Sequence, residues 1–384
     1  MEFTKVGFRG DEVRANRSEA VNPMAQLLLI LLAAAAVAVD AQPHSSPCSL
    51  QVGTMALRLP MEPASGLLGL ELTDSGHTIL AQTTPAQVAL GQAHEAAEVV
   101  IRAGYTSATQ LSATLLEANA TLTHGTGGAS FAVCDRWAAV GSGALARFEL
   151  NRTLTVLRNA HRSSTIGVQS RLLFELASAP PGTTVGQLTA FAPALWYGNN
   201  SGIVSGGAIG ANKTMTDYFI RADRFAAPLF SVLSPPGVTG GGVRGRATLF
   251  SLDRGFETVM ADNASTLLVD ARLGYGALGL HQPPPGGQEE QPQPVQLGYL
   301  YPGTEFSRTY TKGNQVLHRY HPATKGAVSR CSVAVTVHAM SPAPPGDPAG
   351  DGEDVEETAD LWKLIKAAWP LQRVLYVRER EGSV

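Results

Sequence analysis

Between Ala144 and Leu157 the chain alternates apolar and polar side chains with period two, so that Phe148, Leu150, Arg152, Leu154 and Val156 fall on one face. An extended strand produces that pattern, because its successive side chains point to opposite sides. A helix would scatter the same residues around its circumference. One half-buried strand is not stable alone; it needs neighbours along its edges and a second layer over its apolar face. The run therefore calls for a layered β architecture, and the rest of the chain has to supply the other strands.

It does so repeatedly. Met55, Leu57 and Leu59 alternate with small or polar residues, Gly66 to Leu72 is a short apolar run, and Asp74-Ser-Gly76 reads as a turn, giving two or three strands between Ser49 and Ala81. Leu111 to Leu122 alternates roughly, Phe131 and Val133 share a face, and Gly167 to Leu176 is a strand ended by Pro180-Pro-Gly182. Further strands are expected at Ala247 to Ser251, Thr258 to Met260, Thr266 to Leu273, Gln296 to Tyr301 and Ser332 to His338. Pro85 to Ala103 is open: Ala and Glu with Thr84 as cap and Pro85 in the first turn suit a helix, whereas Gly91 and Val99-Val-Ile101 suit a strand. Short turns between these runs favour antiparallel neighbours. The fold class expected is mainly β, a large antiparallel β-sandwich or supersandwich with a short C-terminal helix.

Three segments rich in Pro and Gly interrupt the strands: Ser234 to Arg244, His281 to Gln293, and Ser341 to Asp360, the last also acidic. After them the period changes. Leu361, Leu364, Ile365 and Ala368 fall at i, i+3, i+4 and i+7, an amphipathic helix stopped by Pro370. The organisation read from this is an N-terminal segment over 1–41, a sandwich over 42–340, a linker over 341–360 and a helix with tail over 361–384.

The N-terminal segment contains an apolar run, Ala25 to Val39, too short for a membrane span of about 20 residues. Small residues follow at Val39-Asp-Ala41, as signal peptidase requires, and Met24 as the true start would give an ordinary signal peptide. Sequons at Asn119, Asn151, Asn199, Asn212 and Asn263 agree with glycosylation in the secretory pathway. A secreted or luminal protein is expected. Retention of the segment as a signal anchor, the one route to a membrane, would hold the body outside the cell.

A net charge of −3 with only 16% charged residues argues against a nucleic-acid partner. Cys48, Cys134 and Cys331 allow one disulfide at most or a buried free thiol, and their spacing excludes a local zinc module. No Gly-x-Ser-x-Gly, Walker loop or other cofactor motif is present, so no cofactor is expected. His318 and His321 lie three apart, a spacing that suits a strand badly as a metal pair, and no metal site is expected.

The richest stretch for ligand chemistry is Trp196 to Val232. Trp196 and Tyr197 offer ring faces that stack on sugars, and Asn200 and Asn199 offer an amide donor and acceptor to hydroxyls. Arg221, Asp223 and Arg224 interrupt an apolar run and must pair with each other or with something bound. Among carboxylates, Asp135, Glu149, Glu175, Asp217, Asp223, Asp253, Glu257, Asp270 and Glu305 are candidates, and no two stand out as the facing pair of a glycosidase.

Several motifs then occur in a recognisable order: Cys134-Asp-Arg-Trp137, Arg152-Thr-Leu-Thr-Val156, the block from Trp196 to Phe230, Leu297-Gly-Tyr-Leu-Tyr-Pro302 with Glu305, Arg319-Tyr-His-Pro322, and a Trp-bearing helix. Together, over Ser49 to Trp369, they resemble the N-terminal galactose-mutarotase-like supersandwich of secreted six-hairpin glycosidase-like proteins. The resemblance implies a carbohydrate partner, a poly- or oligosaccharide, contacted by Trp196, Tyr197, Asn200, Arg221, Asp223, Arg224, Tyr301, Glu305 and His321. In such proteins the catalytic carboxylates belong mainly to a following (α/α)6 toroid. This sequence stops after the first helix of that toroid, so no catalytic residue carries over. The expectation is a carbohydrate-binding sandwich or glycosidase remnant; the alternative is a glycosylated interaction module without sugar chemistry.

Overall fold

A computed structural model describes residues 48–91, 99–125, 128–158, 167–191, 217–222, 228–235, 243–253, 276–283, 293–302, 305–309, 313–317 and 320–340. All belong to one compact unit, Pro47–Val384. In chain order the strands are β1 (Ser49–Val52), β2 (Met55–Arg58), β3 (Leu70–Asp74), β4 (His77–Gln82), β5 (Ala86–Gly91), β6 (Val99–Ala103) and β7 (Ser107–Ser112). Then come β8 (Leu115–Thr123), β9 (Ser130–Val140), β10 (Arg147–Arg158), β11 (Gly167–Leu176), β12 (Thr189–Phe191), β13 (Asp217–Arg221) and β14 (Leu229–Leu233). The last are β15 (Arg244–Ser251), β16 (Ala277–His281), β17 (Gln296–Tyr301), β18 (Glu305–Thr309), β19 (Gly313–Leu317), β20 (His321–Pro322) and β21 (Val328–Met340).

Among the described residues these build two large antiparallel sheets and one hairpin. The larger sheet runs β1-β2-β3-β4-β11-β17-β16-β13, with β20 and β5 also on β11 and β6 on β5. The smaller runs β12-β14-β15-β21-β10-β9-β8-β7, and β18 pairs with β19. The alternating run is β10, central in the smaller sheet between β9 and β21. Phe148, Leu150, Leu154 and Val156 pack into a core shared with Val168, Leu172, Phe174 and Leu176 of β11 in the opposing sheet. Across this interior Trp137 of β9 meets Phe174 edge-on, with ring centroids 6.5 Å apart. The arrangement is a β-sandwich, held by apolar side chains from two inner faces.

Several expectations sharpen. Ser49 to Ala81 holds four strands, not two or three, because each short apolar run finds its own antiparallel partner. Asp74-Ser-Gly76 is the turn between β3 and β4, with Ser75 and Gly76 at φ 51° and 84°. Within Pro85 to Ala103 the described ends are strands: β5 pairs with β11 and β6, so lateral pairing overrides the local helix propensity. Arg244, placed at the end of a loop by its Gly-rich approach, opens β15 opposite Met340. The expected strands at 258–260 and 266–273 and the C-terminal helix lie outside the described residues.

Candidate functional site

The charges nearest the core form a closed clasp. Arg152 and Asp135 occupy inward positions of β10 and β9 and sit opposite each other in register. Arg152 donates from Nε to Asp135 Oδ1 at 2.7 Å and from Nη2 to Oδ2 at 2.6 Å. Its remaining reach crosses the sandwich: Nη1 donates to the Arg171 carbonyl at 2.7 Å and Nη2 to the Pro85 carbonyl at 2.8 Å. Tyr105 donates its hydroxyl to Asp135 Oδ2 at 2.6 Å. Burial works against the guanidinium's charge, but Asp135 outweighs it and holds the Arg152 pKa above its ordinary value. Burial, with Asp135 beside it, pushes the Tyr105 hydroxyl well up. Arg152 is 1% exposed and Asp135 0%, and their network ties the two sheets together.

The outer face of the larger sheet is different. Along β11 the residues alternating with the core positions, Gln169, Arg171, Leu173 and Glu175, face away from the smaller sheet. The register carries this polarity sideways. Gln87 of β5 lies opposite Arg171, with Arg102 of β6 beyond it. Glu175 lies opposite Gln296 of β17, and His281 of β16 follows. Between the two rows Leu173, Phe219, Ala277 and Leu300 make a separate apolar cluster. Gly298 keeps that path flat: a Cβ there would strike Leu173 and come within 3.0 Å of the Phe219 ring.

This face is only partly satisfied. Arg171 Nε donates to Gln169 Oε1 at 3.2 Å, Gln169 Nε2 to the Pro302 carbonyl at 2.8 Å, and Gln87 Nε2 to the Thr84 carbonyl at 3.1 Å. The side-chain oxygens of Gln87 and Gln296 are buried without a donor. Burial raises the Glu175 pKa, against the opposing pull of Arg102 and a hydrogen bond with Gln296. Burial thus favours the protonated form of Glu175 more than exposure would. Amide oxygens without donors are able to accept hydrogen bonds from hydroxyls.

The residues expected to contact carbohydrate are distributed unevenly. Tyr301 and His321 are 2% and 6% exposed, lie on the inner side of the larger sheet, and stack with ring centroids 5.2 Å apart. Burial lowers the His321 pKa to about 4, and its Nε2 has no partner. Arg221 falls opposite Ala277 in register, and Glu305 opens β18 opposite Leu317. Trp196, Tyr197, Asn200, Asp223 and Arg224 lie outside the described residues. Of the sequons, Asn119 is half-buried on β8 and Asn151 is exposed on β10, while Asn199, Asn212 and Asn263 lie outside the described residues.

Among the carboxylates, Asp135 pairs with Arg152 and Glu149 with Arg147 at 2.5 Å, and Asp253 accepts the Ser332 amide at 2.7 Å. The glutamines of the outer face escaped sequence reasoning. Their only signal is position within otherwise apolar strands, Gln87 in β5 and Gln169 in β11. All three cysteines are free thiols. Among the described residues no three His, Cys, Asp or Glu side chains gather for a metal, and no helix is long and apolar enough to cross a membrane.

No known family model and no curated protein matches the chain. Two solved structures align along most of it. A putative aldose 1-epimerase from Escherichia coli K12 shares 9% identity at a TM-score of 0.33, covering 77% of this chain and 99% of that one. A galactose mutarotase related enzyme from Lactobacillus acidophilus shares 7% identity at 0.32, covering 77% and 98%. Similarity at that level transfers no residue role to this chain.

Proposed function

We propose that this is a secreted or luminal carbohydrate-binding β-sandwich protein whose outer face, at Glu175, Gln296 and His281, takes the hydroxyls of a poly- or oligosaccharide. One observation carries the reading: buried amide oxygens on that face, at Gln87 and Gln296, lack donors. Buried acceptors ordinarily have partners, and a polyhydroxylated ligand supplies donors in number. The apolar run at Ala25 to Val39 and the sequons support entry into the secretory pathway. The order of motifs supports descent from a glycosidase sandwich. Trp196, Tyr197 and Asn200 are the further sugar contacts that the motif resemblance implies.

A glycan-array screen of the secreted protein tests this, with Glu175→Gln, Gln296→Ala and Trp196→Ala beside it. Saturable binding to a defined glycan, weakened at least tenfold in Gln296→Ala, is the expected result. Absence of binding by folded protein overturns it.

A second reading, an interaction module without sugar chemistry, has its own support. Tyr105, Trp137, Tyr299, Tyr301 and Tyr320 are all buried, and no aromatic is among the exposed large apolar side chains of the described residues. Sugar platforms ordinarily present an open ring.

A further inference from the structure

The outward side of the smaller sheet differs from one end to the other. On β14, β15 and β21 the positions that alternate with core residues are closed off: Ser231, Thr248 and Thr336 are 2%, 0% and 3% exposed. On β7 to β10 the equivalent positions are open. Thr109, Thr121, Arg136 and Asn151 are exposed, with Glu117 and Asn119 half-buried among them.

The open end finishes in a bare strand. Among the described strands β7 pairs with β8 alone, and five of its six residues are exposed. Its sequence, Ser-Ala-Thr-Gln-Leu-Ser, holds no charge and no proline. Edge strands ordinarily carry such residues, because the alternate amides and carbonyls of a bare edge accept a further strand. A register shift between Gln110 and Ser112 interrupts the far end of β7, whereas Ser107 to Gln110 pair regularly.

Both sequons within the described residues fall on this open end, Asn119-Ala-Thr121 on β8 and Asn151-Arg-Thr153 on β10. Asn119 lies opposite Ser107, one strand spacing of about 4.8 Å from the edge. It points outward, since Ala118 and Ala120 on either side of it belong to the core. Its Nδ2 donates to Glu117 Oε1 over a long 3.4 Å, and Arg136 holds Glu117 separately at 2.8 Å. Substitution at that nitrogen therefore gives up little. Asn151 sits farther away, opposite Arg136, which lies opposite Glu117 in turn.

We infer that Asn119 carries an N-glycan that stands over the β7 edge and keeps two copies of this chain from joining edge to edge. The transfer joins Asn119 Nδ2 to the anomeric carbon of a lipid-linked oligosaccharide; the lipid diphosphate leaves, and Nδ2 gives up a proton. A bulky, hydrated chain rooted beside the edge occupies the space that an added strand and its sheet need. The inference rests on the secretory route in the proposed function and not on sugar binding by the larger sheet.

The test uses the full chain secreted from a eukaryotic host. Thr121→Ala removes the sequon and keeps Asn119, Thr153→Ala does the same for Asn151, and Gln110→Lys added to Thr121→Ala puts a charge on the bare edge. Peptide mass spectrometry reads occupancy, sedimentation velocity reads association, and near-ultraviolet circular dichroism reports folding. The expected result is an occupied Asn119, a monomeric wild type and Thr153→Ala, a shift of Thr121→Ala to dimers or larger species, and a return to monomer with Gln110→Lys. Enzymatic deglycosylation of folded wild type should give the same shift, and it carries the test if Thr121→Ala fails to fold. An unmodified Asn119 in the secreted protein overturns the inference, as does association of the glycosylated wild type. A chain that stays monomeric without the Asn119 glycan overturns the shield, and association that Gln110→Lys leaves unchanged overturns the edge as its surface. Sugar binding is decided separately by the glycan array.

Discussion

Arg152 and Asp135 face each other on neighbouring strands of the smaller sheet, joined by two hydrogen bonds of 2.7 and 2.6 Å in a core where neither is more than 1% exposed. The pair also reaches the other sheet, through the carbonyls of Arg171 and Pro85. Removing one partner strands a buried charge, whereas removing both leaves an apolar site of similar shape.

Arg152→Met should therefore cost about 3–5 kcal/mol in urea unfolding. The double variant Arg152→Met with Asp135→Leu should be less destabilised than Arg152→Met alone. Additive losses would show that the pair is not acting as a unit.

His321 makes the fold acid-sensitive. Its pKa is lowered by burial from 6.5 to about 4, so the unfolded chain takes up a proton before the folded one. The stability it contributes is fully present above pH 6.5 and is lost as pH falls towards 4, by about 3 kcal/mol. Comparison of unfolding curves for wild type and His321→Phe at pH 7 and pH 4 should show this difference. Parallel pH profiles would refute a neutral buried imidazole.

Glu175 has the opposite sign. Burial raises its folded pKa, so its contribution is greatest at low pH and is lost as pH rises through the folded value. Glu175→Gln should stabilise the protein at pH 7 and leave it unchanged below the carboxylate range. Destabilisation at pH 7 would mean that the carboxylate is better satisfied than the outer-face geometry shows.

The cysteines should label unequally. Burial pushes the Cys331 thiol well above its ordinary pKa, whereas Cys48 and Cys134 are half-buried. Cys134 lies on β9 and Cys331 on β21, with β10 between them. Two strand spacings, about 9.5 Å, exceed what a disulfide spans. Iodoacetamide on native protein should modify Cys331 slowest, and all three should react in urea. Equal native rates would contradict the buried placement.

Much of the architecture was written in the sequence itself. Period two in β10, the apolar blocks of β11 and β17, and the turn at Asp74-Ser-Gly76 identify strands because side-chain alternation is a local property of an extended chain. Which strands become neighbours is not local. The β5–β11 register that makes Ala86–Gly91 a strand was decided by tertiary pairing. So was the meeting of Asp135 with Arg152. The same holds for the candidate site: Glu175, Gln296 and His281 are far apart in sequence, and only cross-strand register places them in one row. Composition and period determined that this chain folds into layered sheets; the pairing of distant strands, which no short window of sequence encodes, decided which polar groups those sheets bring together.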